Sequence, residues 1–277
     1  MDSQATQRTA AGTAFQVTGE GEPVVLIHGV GLNKAMWGGQ VVSLAEHYRV
    51  ITYDMLGHGE SAMPGPDSGL DAYANQLAEL LDHLGIKNAH VVGFSMGGLV
   101  ARAFALHHPT RLASLVVLNS VFARTPEQRA AVVERTRQAA EFGPNANVEA
   151  ALARWFSREY LAASHAQVDN IRQILASNDP LGYLTTYSLF ATQDMYRADE
   201  LPALRVPTLV ATGELDTGST PEMARQLAAR IPGAQVSILA EQRHMMPVES
   251  PRLVNQLLVD FLANVKRLSV QAEGNVA

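Results

Sequence analysis

HVVGFSMGGLVARAFALHH, residues 90–108, changes character at its sixth position. The apolar, β-branched residues before Ser95 suit a buried strand, and LVARAFALHH after it has the length and composition of a helix. Between them, Gly93-Phe94-Ser95-Met96-Gly97 spells G-x-S-x-G. A strand that turns into a helix over one residue needs small neighbours to admit the bend. The bare pattern is weak, because Gly and Ser are common. A strand before it and a helix after it separate it from an ordinary glycine-rich turn. The Ser95 hydroxyl is then expected above the sheet at a helix N-terminus, where a nucleophile would stand.

Short apolar runs at 13–18, 23–28, 49–54, 89–94, 113–119, 206–212 and 235–239 read as strands, and 70–84, 97–108, 221–230 and 251–266 as helices between them. Four of the runs (PVVLIHG, HVVGFS, LASLVVLNS, VPTLVATG) are apolar at both alternations, so both faces of the sheet must be covered. This is the pattern of an α/β chain with a mostly parallel central sheet flanked by helices. The alternation breaks between 123 and 200, where several helical segments follow one another with no strand. We expect a core formed by 1–122 and 201–277, a helical lid inserted at 123–200, and a loose tail from about 268.

The 277 residues carry a net charge of −6, are 47% hydrophobic and contain no cysteine. That length buries a sizeable core, and the charge offers no basic field for nucleic acid. Without cysteine there are no disulfides, thiolate nucleophiles or Cys-ligated metals. Neither a signal-peptide core nor an apolar run of membrane-spanning length stands out. The expectation is a cytoplasmic protein with a small-molecule substrate, no nucleic-acid or membrane partner, and room for a homo-oligomer.

A serine hydroxyl becomes a nucleophile only when a base takes its proton and a carboxylate orients that base. His244, in QVSILAEQRHMMPVESP after the last strand, is placed to reach Ser95. His28 and His58 precede the serine in glycine-flanked turns and suit structural roles; His47, His83, His90, His107, His108 and His165 fall on helices or at strand starts. The acid is Asp216 in TGELDTGST, with Glu214 as its rival. The end of LASLVVLNS offers only Asn119 and Ser120, neither of them an acid. Two backbone donors must also meet the oxyanion. Met96 N–H supplies one, and Val30 N–H, in the turn of VVLIHGVG, the other. Gly29-x-Gly31 lacks the third glycine of a dinucleotide loop, and Lys34 lacks the glycine of a phosphate loop. YDMLGHGES holds no H-x-H-x-D metal pattern. No cofactor and no metal are expected.

LIHGVG, ITYDMLGHGES, VVGFSMGG, TGELD and RHMMPVESP match, in order, the landmarks of the α/β-hydrolase superfamily, which the chain resembles along nearly its whole length. The stretch ARWFSREYL and the segment from IRQILASNDP onward are similar to the lid of the 3-oxoadipate enol-lactonase group. The chain departs from the usual pattern at Arg243, where glycine commonly precedes the histidine, and in the TGST turn. The resemblance implies a serine hydrolase of a small, carboxylated ester or lactone. Alternatives on the same fold are a carbon–carbon bond hydrolase of aromatic ring-cleavage products and a slow-turnover ligand receptor. A lid over Ser95 would bring Trp155 and Phe156 to the pocket, with Arg154, Arg158, Arg172 and Arg243 for a substrate carboxylate.

Overall fold

Successive residues of a strand point to opposite faces, and the central strands put apolar side chains on both. In the computed structural model, which describes residues 5–163 and 165–274, eight strands form one sheet: β1 (Gln7–Arg8), β2 (Ala14–Thr18), β3 (Glu22–Ile27), β4 (Tyr48–Tyr53), β5 (Ala89–Phe94), β6 (Leu112–Leu118), β7 (Thr208–Gly213) and β8 (Gln235–Leu239). Their order is β1-β2-β4-β3-β5-β6-β7-β8. β1 and β2 join antiparallel at one edge, and β4 through β8 run parallel.

Helices α1 (Gly38–Leu44), α2 (Leu70–His83) and α3 (Met96–His107) alternate with the early strands. Val25, Ile27, Val91 and Val117 pack with Tyr73 and Leu77 of α2 and Leu99 and Phe104 of α3. The neighbouring residues Val24, Leu26, Val92 and Val116 pack on the opposite face with Leu44 of α1. Between β6 and β7 the chain runs through α4 (Pro126–Phe142), α5 (Val148–Trp155), α6 (Arg158–Ala162), α7 (Ala166–Ala176) and α8 (Pro180–Thr192), with no strand among the described residues there. Local chemistry starts these helices. Thr125 and Gln128 form a capping box ahead of α4, Ser157 caps α6, and Asp179 caps α8 just before Pro180.

Both ends of this helical segment meet at one buried carboxylate. Asp194 accepts the Arg124 backbone N–H at 2.8 Å and pairs with Arg129 at 2.7 Å. Its backbone carbonyl accepts a hydrogen bond at 3.2 Å from Arg102, which is fully buried on α3. The segment is thereby tied to the helix that begins at Ser95.

α9 (Pro221–Arg230) follows β7, and α10 (Met246–Glu249) and α11 (Pro251–Gly274) close the chain. Val254, Leu258, Phe261, Leu262 and Val265 repeat at helical spacing and pack on the same face as α1.

The differences from the sequence expectation have local causes. The tail from 268 is not a loose end as far as Gly274: α11 continues through it, because RLSVQAE contains no helix breaker. Residues 275–277 lie outside the described residues. α1 went unread because two glycines open it; tertiary contact offsets their weak propensity, since a Cβ on Gly39 would stand 2.9 Å from Pro251 Cβ. β1 is too short and too exposed for a hydrophobic pattern.

Candidate active site

Ser95 stands between β5 and α3 with φ 54° and ψ −114°, a region that costs an L-residue about 1–3 kcal/mol. The turn closes so tightly that a Cβ on Gly93 would lie 2.2 Å from the Gly97 carbonyl oxygen, and one on Gly97 2.3 Å from that of Ile27. The Ser95 N–H donates to Leu118 O at 2.9 Å, and the Ser120 hydroxyl donates to the Ser95 carbonyl at 2.7 Å. The end of β6 and the Ser120 side chain just after it thus hold the strained residue in place.

His244 arrives on the loop after β8. Gly213, ending β7, lets that loop come close, for a Cβ there would meet Gln242 O at 2.2 Å. The imidazole lies against the Phe94 ring at 4.9 Å and the Trp155 ring at 5.7 Å between centroids. Its Nδ1 meets Asp216 Oδ2 at 2.7 Å, and Nε2 makes no hydrogen bond among the described residues.

Asp216 is buried, and its carboxylate is fully engaged. Asn119 Nδ2 donates to Oδ2 at 2.9 Å, and the N–H groups of Gly218 and Ser219 donate to Oδ1 at 2.9 Å each. Burial alone would raise its pKa, but His244, Asn119 and the Ser219 N–H together hold it below the usual carboxylate value. The TGST turn therefore has a function of its own. It supplies two donors to the Asp216 carboxylate, and its Thr220 caps α9. Glu214, the rival acid, is exposed and accepts the Glu241 N–H at 3.0 Å.

Met96 is the first residue of α3, so its N–H has no acceptor within the helix. Val30 N–H has no hydrogen-bond partner among the described residues. The turn that carries Val30 is fixed from behind by two neutral histidines. His28 donates from Nδ1 to Gly29 O at 2.7 Å and accepts Met55 N–H on Nε2 at 2.9 Å. His58 accepts Gly31 N–H on Nε2 at 2.9 Å and donates from Nδ1 to Leu56 O at 3.1 Å. Lys34 is held by Asp54 and Glu60, both at 2.8 Å.

Burial lowers the pKa of His28, and burial together with His28 lowers that of His58 from 6.5 to about 3. Both are thus neutral in the fold, whereas the unfolded chain protonates them near 6.5. The unfolded state therefore holds more protons below that pH. The stability both groups contribute is fully present above 6.5 and is lost as pH falls, for His58 towards about 3. Stability against urea is expected to fall by about 1.4 kcal/mol per pH unit through His58 between pH 6.5 and about 3. His58→Gln should flatten that slope, and an unchanged slope in the variant would contradict the role given to the ring.

Ser95, His244, Asp216 and Val30 all border one cavity of about 160 Å³ beneath the helical segment. Its upper wall follows helical spacing: Gln128, Ala131 and Arg135 on α4, Val148, Ala151 and Trp155 on α5, and Tyr183, Tyr187 and Phe190 on α8. The Trp155 carbonyl accepts the Met245 N–H at 3.0 Å, which fastens α5 to the His244 loop.

Of the pocket residues expected from sequence, Trp155 and Arg154 border the cavity. Phe156 does not; it is buried within the helical segment and stacks on Tyr160 at 5.3 Å. Arg172 points away, its fork held at 2.7 Å by Glu149 and at 2.5 Å by Asp169. Arg158 is exposed, because α5 ends at Trp155 and the chain turns before α6. Arg243 is half-buried outside the cavity lining. Asn119, Arg124, Arg135, Tyr183 and Tyr187 were not anticipated. For Asn119 a signal existed, since it follows the strand beside β7. For the rest, α4 buries only Val132 and Ala139, so periodicity could not say which face looks inward.

A family model described as the alpha/beta hydrolase fold matches residues 22–251. The chain is 33% identical over 244 residues, 88% of its length and 91% of the relative, to (E)-2-((N-methylformamido)methylene)succinate hydrolase of Acinetobacter baylyi. It is 30% identical to 3-oxoadipate enol-lactonase 2 of the same organism, over 84% of this chain and 85% of that one. A solved structure of a thermophilic esterase from Thermogutta terrifontis, with malate bound, superimposes with a TM-score of 0.83 at 32% identity, over 95% of this chain and 99% of the other. With its parallel sheet, its strained serine turn and these matches, the chain belongs to the alpha/beta hydrolase family.

Proposed function

We propose that the protein is a serine hydrolase that cleaves a small, carboxylated ester or lactone. Ser95 Oγ attacks the carbonyl carbon while His244 Nε2 takes its proton, and the carbonyl oxygen, now an oxyanion, meets Met96 N–H and Val30 N–H. The tetrahedral adduct collapses, His244 returns the proton to the departing alkoxide or enolate oxygen, and the acyl group stays on Ser95. Water, deprotonated by His244, then attacks that ester, and the acid product leaves with Ser95 restored. Asp216 fixes the imidazole so that Nε2 is the unprotonated nitrogen and stabilises the imidazolium as it forms.

The observation that carries this proposal is the cluster itself: a strained serine, a histidine bonded through Nδ1 to a buried carboxylate, and the Val30 N–H, without a partner among the described residues, around one cavity, with the Met96 N–H next in the chain to Ser95. The acidic substrate class draws support from the relatives, whose names contain a succinate and an oxoadipate, and from the malate bound in the esterase. A carbon–carbon bond hydrolase would use the same groups on a diketo acid.

Multiple-turnover kinetics separate these readings. An enol-lactone and a half-ester of a short dicarboxylic acid are expected to turn over many times per active site, and a vinylogous diketo acid slowly. Cleavage of the diketo acid alone would move the assignment to carbon–carbon chemistry, and release of less than one equivalent of any product would make the protein a receptor.

A further inference from the structure

The cavity wall is cationic in a way that the protein itself does not neutralise. Three arginines border it: Arg124, Arg135 and Arg154. Arg124 is spoken for by the Phe190 carbonyl at 2.7 Å and by Asp194 at 3.8 Å. Among the described residues the Arg135 side chain has one polar partner, donating from Nε to the Tyr187 hydroxyl at 3.3 Å, and no carboxylate. Arg154 has no hydrogen bond or ion pair among the described residues.

Other arginines of the helical segment contrast with these two. Arg129, Arg137, Arg172 and Arg197 each hold at least one carboxylate. Asp216 is the cavity's one carboxylate among the residues that line it, and its oxygens are taken by His244, Asn119, Gly218 and Ser219. Arg135 and Arg154 also repel each other. Burial, and then Arg135, lower the pKa of Arg154. Two guanidinium groups that line one half-buried wall with no carboxylate partner among the described residues are unfavourable in the empty protein, and an anion entering from outside relieves that cost.

Two phenols complete the wall. Tyr187, having accepted from Arg135, still has its own O–H to donate. Tyr183, buried beside it with ring centroids 5.3 Å apart, has its pKa raised by burial and so stays protonated as a donor. Guanidinium forks and hydroxyl donors suit the planar oxygens of a carboxylate.

We propose that Arg135 and Arg154, with the hydroxyls of Tyr183 and Tyr187, form the subsite that binds a free carboxylate carried by the substrate away from its scissile carbonyl. The pair is thus a specificity determinant for half-esters and lactone acids over neutral esters. This rests on the reading of Ser95 as the nucleophile, and it replaces Arg158, Arg172 and Arg243 as the source of acidic preference.

Two measurements test it. In the first, kcat/KM is compared for the 4-nitrophenyl half-ester of succinic acid and for its methyl-capped neutral analogue, in the parent and in Arg135→Met, Arg154→Met and Arg172→Met. Losing a charge-assisted contact should lower the charged-to-neutral ratio about 10- to 100-fold in each of the first two variants, through KM. The ratio in Arg172→Met should match the parent. In the second, succinate is titrated by calorimetry into Ser95→Ala and into the same protein carrying Arg135→Met or Arg154→Met. Succinate should bind Ser95→Ala and lose at least tenfold in affinity with either arginine removed. Removing an unpaired charge favours the ligand-free fold, so both methionine variants should melt no lower than their parent without succinate.

An equal fall of the ratio in Arg172→Met, or succinate affinity unaffected by both substitutions, would overturn the subsite. The calorimetric arm needs no turnover, so it decides the subsite even where Ser95→Ala remained active and the hydrolase reading had failed.

Discussion

Ser95→Ala is expected to lower ester turnover by about four to six orders of magnitude while leaving the fold intact. Alanine keeps the Cβ and removes only the hydroxyl. What fixes residue 95 is its backbone: the N–H bonded to Leu118 O and the carbonyl bonded to the Ser120 hydroxyl, neither of which needs the side chain. The strain at φ 54° is equally present with alanine, so stability should hardly change. Residual turnover comes from the two backbone donors, which alanine leaves in place. Steady-state rates and a thermal melt of the same preparation check this. A variant that retains a tenth of the parent rate would show that the nucleophile lies elsewhere.

Asp216→Asn is the second large effect, a loss of about ten-thousandfold in kcat with the fold retained. The asparagine carbonyl can still accept the Gly218 and Ser219 N–H groups, so the turn survives. Its amide nitrogen, however, would then face His244 Nδ1 as a donor, leaving the proton on Nε2, the nitrogen that must receive one from Ser95. Glu214→Gln is expected to stay within about twofold, because an exposed carboxylate that accepts the Glu241 N–H contributes little to the site. A severe Glu214→Gln with a mild Asp216→Asn would reverse the assignment of the acid.

Much of this architecture was legible in the chain because strands buried on two faces must be apolar throughout, and because so tight a turn at Ser95 admits only glycine at Gly93 and Gly97. Those are local constraints, and they leave marks in one dimension. The histidine and the aspartate were legible for a related reason: each follows the carboxyl end of a strand in a parallel sheet, where loops converge. The helical segment was different. α4 is polar over most of its surface and buries only two side chains, so its sequence did not show which arginines face Ser95 and which face solvent. That choice depends on how Asp194 ties down both ends of the segment and how the Trp155 carbonyl docks on Met245, contacts between residues far apart in sequence. Arg172 was one of the arginines expected from sequence to meet a substrate carboxylate, and in the fold it holds Glu149 and Asp169.

A fluorophosphonate that reacts with activated serines identifies the nucleophile directly. Intact-mass analysis of the treated protein is expected to show one adduct per chain, and peptide mapping to place it on Ser95, with esterase activity falling in proportion to labelling. Modification of any other serine that tracks the loss of activity, or full activity in protein whose Ser95 is modified, would contradict the assignment of Ser95 as the nucleophile.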